Sequence, residues 1–349
     1  MENKMDYKIS NAYRVYHKEI DFQKMNRNIQ WHQKILSDQI EIARQFQPVG
    51  NEIHQCPICH SEHISLFSMI HGYQYCECQS CSHIFLKTPM NSEDVYSLYS
   101  SDDPEKKSLQ DKIYCDIDNY KKRIETIGLP KIDFINCYLP IKKGKWLDIG
   151  CGAGEMVYAA TLRGWEAWGL ESDPKEVAFA RKQNIPVIQE YLDPKNVSEY
   201  VTDCDVISLI NILEHINDPF VFLNMISKNM KDNAFIIIEI PRHPSLSSFV
   251  NLAFPSIASR HIYPPEHLHI FSEKSIEIVL EKCSMSAEVI WLFGQDFSDF
   301  ILCAAQNASI DNNLLYHILS KSNLIQKEID NMSLCDTMIL ICRKKKTGV

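Results

Sequence analysis

The fold is decided by a glycine-rich stretch that directly follows a short apolar segment, Trp146-Leu147-Asp148-Ile149-Gly150-Cys151-Gly152-Ala153-Gly154-Glu155. Three of the eleven glycines in the chain fall within this stretch, between a predicted strand and a predicted helix. Glycine permits a tight turn and lets the backbone approach a ligand closely. The stretch therefore predicts a ligand-binding turn of an α/β fold.

Two ligand classes use such a turn, dinucleotides and S-adenosylmethionine, and the residues around the glycines favour the second. The dinucleotide pattern G-x-G-x-x-G places its third glycine where this chain has Glu155. Asp148 precedes the first glycine by two positions, where a carboxylate repels a pyrophosphate but accepts from the ammonium of a methionine moiety. Glu171 ends the next predicted strand and suits two ribose hydroxyls in either ligand class.

Strands and helices alternate outward from this turn, which predicts a doubly wound, Rossmann-like parallel sheet for residues 141–349. The predicted strands cover 146–149, 166–170, 186–188, 205–210, 234–240, 289–293 and 337–341. The predicted helices cover 156–162, 175–182, 220–230 and 272–282. Three segments precede this domain, namely a helical segment at 1–50, a zinc ribbon at 51–90, and a helical linker or lid at 91–140.

The zinc ribbon is predicted from two C-x2-C pairs, Cys56 with Cys59 and Cys78 with Cys81. Paired knuckles of this kind are typical of tetrahedral Zn²⁺ sites, and four thiolates leave no open position for catalysis. Cys76 lies outside the second pair, so a buried or free thiol is the expected role there. A reduced, metal-free cysteine-rich loop is the alternative for the whole segment.

Composition limits the class of protein and its partners. The chain has 349 residues and a net charge of −9, which disfavours nonspecific nucleic-acid binding. The sequence contains no run of about 18 apolar residues, so no membrane span is predicted. The N-terminus lacks the apolar core of a signal peptide. Thirteen cysteines in a chain without a leader suit a reducing compartment, so we expect cytoplasmic localisation.

Residues 145 to about 290 resemble class I S-adenosylmethionine-dependent methyltransferases. The resemblance rests on the glycine stretch, on Glu171, and on two further motifs, Asn211-Ile212-Leu213-Glu214-His215-Ile216-Asn217-Asp218-Pro219 and Tyr263-Pro264-Pro265-Glu266-His267-Leu268-His269-Ile270-Phe271-Ser272. With the four cysteines ahead of them, the chain resembles the zinc-containing branch that includes sugar C-methyltransferases. The cofactor residues implied are Asp148, Gly150, Gly152, Gly154, Glu171 and Asn211. The adenine contact is expected within 190–192, without a choice among those positions.

Residues for the acceptor should follow the carboxyl ends of the strands. His267, beside Glu266, and His215 satisfy this, and a histidine titrates near neutral pH and can act as a general base. In the resembling sugar enzymes, a histidine in the stretch that corresponds to His215 lines the active site. Tyr263 is a candidate for binding the acceptor or stabilising an enolate. Structural roles remain open for each of these residues: a cofactor contact or helix cap for His215, a buried structural histidine for His267, and packing for Tyr263.

Three functions are therefore expected in decreasing order. The first is methyl transfer to a small-molecule acceptor, with C-methylation of a nucleotide-linked keto sugar slightly ahead of O- or N-methylation of another metabolite. The second is methylation of RNA or protein docked through the ribbon, which is disfavoured because Lys87 is the only basic residue between 51 and 90. The third is a non-catalytic cofactor-binding adaptor. The sequence leaves the oligomeric state open.

Overall fold

The structure is a computed structural model that describes residues 9, 11–19, 29–46, 48, 50–90, 115–308 and 312–345. Predictions for the remainder, including residues 91–114 of the linker at 91–140, lie outside the described residues. No helix in the described part of the chain is long and apolar enough to cross a membrane.

An eight-stranded sheet with the order β1-β11-β12-β9-β8-β5-β6-β7 forms the centre of the molecule. Its strands are β1 (Tyr13–Tyr16), β5 (Lys145–Ile149), β6 (Glu166–Glu171), β7 (Val187–Gln189), β8 (Val206–Ile210), β9 (Phe235–Pro241), β11 (Met285–Phe293) and β12 (Thr337–Lys344). The strand β12 runs antiparallel to both of its neighbours, whereas the other pairings are parallel. The Rossmann-like class is thus confirmed, but the sheet is mixed rather than wholly parallel. A continuous apolar run is expected for a strand that is buried on both faces, whether it is parallel or antiparallel to its neighbours. The sequence pattern of β12 therefore did not reveal its orientation.

Helices cover both faces of this sheet. They are α1 (Ile29–Gln45), α2 (Ile117–Arg123), α3 (Leu129–Tyr138), α4 (Glu155–Leu162), α5 (Pro174–Lys182), α6 (Val197–Val201), α7 (Pro219–Asn229), α8 (Leu246–Ala253), α9 (Glu273–Lys282), α10 (Asp296–Ala308), α11 (Asn312–Leu319) and α12 (Ser322–Asn331). A π-helical turn, Ile124–Gly128, joins α2 to α3, and a 3-10 turn, Leu213–His215, follows β8. Two large apolar clusters pack against the sheet, and every residue of β9 is buried.

The N-terminal segment differs from the helical segment expected at 1–50. Its described part contains α1, but Tyr13–Tyr16 form β1, which pairs in parallel with β11 at the edge of the sheet. A strand of four residues is too short to show a clear alternation in sequence. Its pairing with a distant strand, not its local pattern, determines its conformation.

The cysteine-rich segment forms a second, four-stranded sheet with the order β10-β4-β3-β2. Its strands are β2 (Ile64–Ile70), β3 (Tyr73–Cys78), β4 (Ile84–Leu86) and β10 (His269–Ile270). The strand β10 belongs to the segment that follows β9, so the part of the chain that carries the central sheet also completes the sheet of the ribbon. The hydroxyl of Ser272, which caps α9, also donates to the carbonyl of Cys81. The segment predicted as a separate ribbon is therefore built into the rest of the fold.

Candidate functional site

A cavity of about 340 Å³ opens at the carboxyl ends of the central strands. The glycine turn after β5 forms one side of it, and the loops after β8 and β9 form the floor. The N-terminal segment and α1 contribute Lys18 and Gln39 to the opposite wall. The cavity thus brings together segments that lie far apart in the sequence, at the edge where doubly wound sheets bind their ligands.

The glycine turn has the conformation that its residue types predict. Gly150 and Gly152 have φ values of +66° and +54°, a region that side chains rarely adopt. Both glycines line the cavity, and a Cβ atom on Gly152 would lie 3.2 Å from the carboxylate of Glu176. Gly154 instead faces the protein, because a Cβ atom there would lie 2.7 Å from Ile185. Gly154 therefore permits close packing of α4 on the sheet and does not line the cavity.

Asp148 lies beneath the glycine turn and lines the cavity. Its carboxylate accepts a hydrogen bond from the hydroxyl of Ser208 on the neighbouring strand. Burial is the main cause that raises the pKa of Asp148 to about 7, and the hydrogen bond from Ser208 opposes it. A ligand cation at this position would favour the ionised carboxylate.

Glu171, at the end of β6, has a carboxylate that is bonded to backbone N–H groups. One carboxylate oxygen accepts from the backbone N–H of Gly152 at 2.9 Å, and the other accepts from Ser172 at 2.7 Å and Asp173 at 2.9 Å. The side chain is buried and is not on the cavity wall. Glu171 therefore holds the glycine turn in place, and its contact with ribose stays a prediction.

Asn211 follows β8 with a φ of +55° and lines the cavity, as expected for a cofactor contact. Its backbone N–H donates to the carbonyl of Glu239, which fixes the loop. The positions expected to contact adenine, 190–192, do not line the cavity. That contact stays a prediction.

The structure brings His215 and His267 together with ring centroids 4.9 Å apart. Nδ1 of His267 donates to the carbonyl of His261 at 2.7 Å, and Nδ1 of His215 donates to the carbonyl of Glu266 at 2.9 Å. Because a carbonyl oxygen only accepts, the neutral form of each ring carries its proton on Nδ1 and leaves Nε2 as an acceptor.

Burial keeps both rings uncharged at neutral pH. It holds the pKa of His267 well below its usual range, with a contribution from His215, and lowers the pKa of His215 to about 4. His267 lines the cavity, whereas His215 lies behind it. The geometry thus presents His267 to a ligand as a neutral proton acceptor.

Tyr263, Glu214 and Glu266 line the same part of the cavity. The ring centroid of Tyr263 lies 3.8 Å from that of His267. Glu214 is fully buried, and neither of its carboxylate oxygens has a hydrogen-bond partner among the residues that the structure describes. Burial raises the pKa of Glu214 well above the usual range. An acid in this state favours the arrival of a cation in the cavity.

His269 points away from the cavity, as its alternation with His267 predicts. Its Nδ1 lies 3.0 Å from Nε2 of His83 in the ribbon, and both rings are buried. The ribbon therefore contacts the far side of the loop that carries His267.

The four predicted zinc ligands converge in the ribbon. The sulfur atoms of Cys56 and Cys81 are 3.6 Å apart, and those of Cys59 and Cys78 are 3.5 Å apart. A tetrahedron with Zn–S bonds of about 2.3 Å has edges of about 3.8 Å, so the cluster has the size of a zinc site. Cys76 and the nearby histidines are outside this cluster in the described part of the chain.

Sequence reasoning missed the basic residues of the cavity wall. Lys131 forms an ion pair with Glu239 at 2.6 Å, Arg123 pairs with Glu155, and Lys18 lies beside them. They come from segments whose composition indicated only helices packed on another part of the protein. Nothing in the local pattern distinguished these basic residues from solvated surface charges.

Comparisons with known proteins agree with this architecture. Residues 122–283 match a family model described as "Methyltransferase domain". The chain is 26% identical over 109 residues to a ubiquinone biosynthesis O-methyltransferase of Chromobacterium violaceum, covering 30% of this chain and 47% of that protein. It is 23% identical over 175 residues to the mitochondrial enzyme of that name from Schizosaccharomyces pombe, covering 46% of this chain and 62% of that protein. The matches thus span about half of each relative's own length.

Solved structures similar to this chain include an S-adenosylmethionine-dependent methyltransferase from Archaeoglobus fulgidus. It has a TM-score of 0.40 and 19% identity, with 64% of this chain and 98% of that chain covered. Magnesium protoporphyrin IX methyltransferase from Synechocystis, solved with bound S-adenosylhomocysteine, has a TM-score of 0.43 and 13% identity. The match covers 66% of this chain and 90% of that chain. The strand order and the glycine turn define a Rossmann-like α/β fold, and residues 122–283 within it are similar to the methyltransferase family model.

Proposed function

We propose that this chain transfers the methyl group of S-adenosylmethionine to a small-molecule acceptor. The observation that carries the proposal is the shared cavity, in which the glycine turn and the neutral ring of His267 face the same space. The family match over residues 122–283 supports the reaction class. The curated relatives, which are ubiquinone biosynthesis O-methyltransferases, support an acceptor of small size.

The residues at the glycine turn fit this cofactor. S-adenosylmethionine supplies an electrophilic methyl group on a positively charged sulfur when it is bound. Asp148 would accept from the ammonium of its methionine moiety, and Gly150 and Gly152 would let the backbone approach it. Asn211 lies where it can contact the same moiety, and Glu171 keeps the turn in position. The raised pKa values of Asp148 and Glu214 fit a site that is completed by a cation.

His267 is the proposed base. Its Nε2 would take the proton that the acceptor loses, while the carbonyl of His261 keeps Nδ1 protonated and orients the ring. Methyl transfer removes the positive charge of the sulfonium from the cavity. The proton that His267 gains, near the carboxyl groups of Glu214 and Glu266, restores a positive charge there. His215 is proposed as a positioning residue, because its ring packs against that of His267 and its Nδ1 donates to the carbonyl of Glu266, the residue before His267.

We also propose that Cys56, Cys59, Cys78 and Cys81 hold one structural Zn²⁺. Their sulfur spacing supports this, and the four thiolates would leave no open position on the ion. The ion would stabilise the turns that carry the ribbon sheet. The thirteen cysteines, none of which forms a disulfide, support a cytoplasmic location for the enzyme.

The acceptor proposed first is a nucleotide-linked keto sugar that is methylated on carbon. A neutral base next to Tyr263 suits removal of a proton beside a ketone, since the phenol hydroxyl can stabilise the enolate. This assignment derives from the resemblance to zinc-containing sugar C-methyltransferases and from these two side chains.

A methyl-transfer assay with tritium-labelled S-adenosylmethionine tests the proposal. The panel consists of nucleotide-linked keto sugars, phenols of the ubiquinone-precursor type, and bulk RNA. Transfer to a sugar or a phenol supports a small-molecule acceptor, and only the sugar supports the finer assignment. Transfer to RNA alone would overturn the proposal, as would failure to bind S-adenosylhomocysteine in calorimetry. His317→Ala, at an exposed histidine on α11, is a matched control for histidine replacements in the cavity.

A further inference from the structure

The cavity wall carries a buried ammonium group, that of Lys18, without a carboxylate partner. Lys18 follows β1, is 9% exposed and lines the cavity. Its Nζ lies 5.8 Å from the ring centroid of Trp291 and 5.3 Å from that of Phe293. Within the described ranges of the chain, Lys18 forms no ion pair with an acidic residue.

The other cations of the wall are each neutralised. Lys131 pairs with Glu239 at 2.6 Å, and Arg123 pairs with Glu155. Arg260 contacts Asp336 at 2.7 Å. These three groups have carboxylate partners, so among the described cations of the wall the charge of Lys18 is left for a ligand to balance.

The surroundings of Lys18 disfavour its charge in the empty cavity. Burial is the largest cause that lowers the pKa of Lys18 to about 7. The charges of Lys131 and Arg123 lower the pKa further, and that of Glu239 raises it. Since Glu239 is already bonded to Lys131, it compensates Lys18 only weakly. A buried charge without a partner is costly, and an anionic ligand would remove that cost.

The position of Lys18 assigns the ligand to the acceptor side. The glycine turn and Asp148 follow β5, whereas Lys18 lies beside Phe293 at the end of β11. The strands β8, β9 and β12 lie between β5 and β11 in the sheet. Asp148 and the glycine turn therefore lie where the cationic cofactor would bind, and Lys18 lies beside a strand further along the sheet, on the side left for the acceptor.

We propose that Lys18 binds an anionic group of the acceptor, a phosphate or a carboxylate, and so selects negatively charged acceptors. The inference rests on the proposed function and specifies the chemical class of its substrate. The rings of Trp291 and Phe293, which lie beside the ammonium of Lys18, would exclude water from the ion pair that forms. A neutral analogue of the acceptor is expected to bind weakly.

Calorimetry on the full chain loaded with S-adenosylhomocysteine tests this proposal. The probes are thymidine diphosphate glucose, for a phosphate, and benzoate, for a carboxylate. Lys18→Met is expected to lower the affinity for the probe that binds by about 10- to 150-fold, the range for loss of one hydrogen bond to a charged group. Lys18→Arg should keep most of the affinity, and Lys327→Met, at an exposed lysine on α12, should keep all of it.

The outcomes distinguish a phosphate from a carboxylate as the anionic group. They also distinguish failure of the role of Lys18 from failure of the proposed methyl transfer. Binding of the diphosphate alone identifies a phosphate, and binding of benzoate alone identifies a carboxylate. Equal affinities of wild type and Lys18→Met, or no binding of either probe by wild type, would overturn the role of Lys18. Binding of S-adenosylhomocysteine is measured separately, so its loss would contradict the proposed function instead.

Proton uptake provides a second readout that does not depend on a variant that folds. At pH 8, a lysine whose pKa is about 7 is mostly neutral, so pairing with an anion should take up about 0.9 proton. Titrations in two buffers with different ionisation enthalpies measure this number. Wild type should show the uptake and Lys18→Arg should show almost none, because arginine stays charged. Uptake near zero in wild type would contradict the proposal.

Discussion

Replacing Tyr75 by Phe should slow methyl transfer from a position outside the cavity. The hydroxyl of Tyr75 is fully buried in β3 and donates to the carbonyl of His267 at 2.8 Å. Its removal leaves a buried carbonyl without that donor, which costs about 1–3 kcal/mol of unfolding free energy. The loop that carries His267 can restore a hydrogen bond only by moving. A displacement of about 1 Å at a reacting group can cost about 100-fold in rate.

We therefore expect Tyr75→Phe to lower kcat by about 10-fold or more, with unchanged affinity for S-adenosylhomocysteine. Tyr73→Phe is the matched control, because its buried hydroxyl donates to backbone carbonyls of Ala43 and Phe46, away from His267. Denaturant unfolding and steady-state kinetics measure both variants. If the two variants lose similar stability and Tyr75→Phe keeps the kcat of Tyr73→Phe, the ribbon does not position the loop and this reasoning is wrong.

Three further predictions follow from the site. His267→Ala should lower turnover by about 10²–10⁴-fold with little change in S-adenosylhomocysteine affinity, and near-native turnover on the true acceptor would exclude it as the base. The affinity for S-adenosylmethionine should rise as the pH increases through 7, because Asp148, whose pKa is about 7, must ionise to accept from the ammonium. Calorimetry should show that Asp148→Asn binds S-adenosylmethionine more weakly and that its affinity no longer depends on pH in this range. Elemental analysis should find one zinc per chain in wild type and clearly less in Cys59→Ser. The substitution should also lower kcat, because β4 of the ribbon pairs with β10 in the segment that carries His267. Full zinc content in the variant would refute the ligand set.

Local patterns in the sequence predicted those parts of the site that are formed by neighbouring residues. The glycine turn, Asp148 and the two cysteine pairs are short stretches whose residue types suffice for their geometry. Glu171 shows the limit of this reasoning, because an acid at a strand end suits a ribose and a backbone turn equally well. Its contacts with the N–H groups of Gly152 and Asp173 depend on how the turn folds back over the strand.

Pairing between distant segments could not be predicted from the sequence. The strand β10 has two residues, His269–Ile270, and exists because β4 offers it hydrogen bonds. The strand β1 is equally dependent on β11. The position of Lys18 follows from that pairing, so a residue that looks like an ordinary surface lysine in the sequence is placed in the cavity.

The pairing of β1 with β11 also imposes an order on assembly during synthesis. His17, at the end of β1, accepts through its carbonyl from the indole of Trp291, a residue 274 positions further along the chain. At about 5–20 residues per second, a ribosome needs roughly 14 to 55 s to make that distance. The strand β1 must therefore wait for β11 to be synthesised, and the wall that Lys18 contributes closes only after Trp291 has left the ribosome. Until then, a nascent chain with a finished glycine turn still has an open acceptor side.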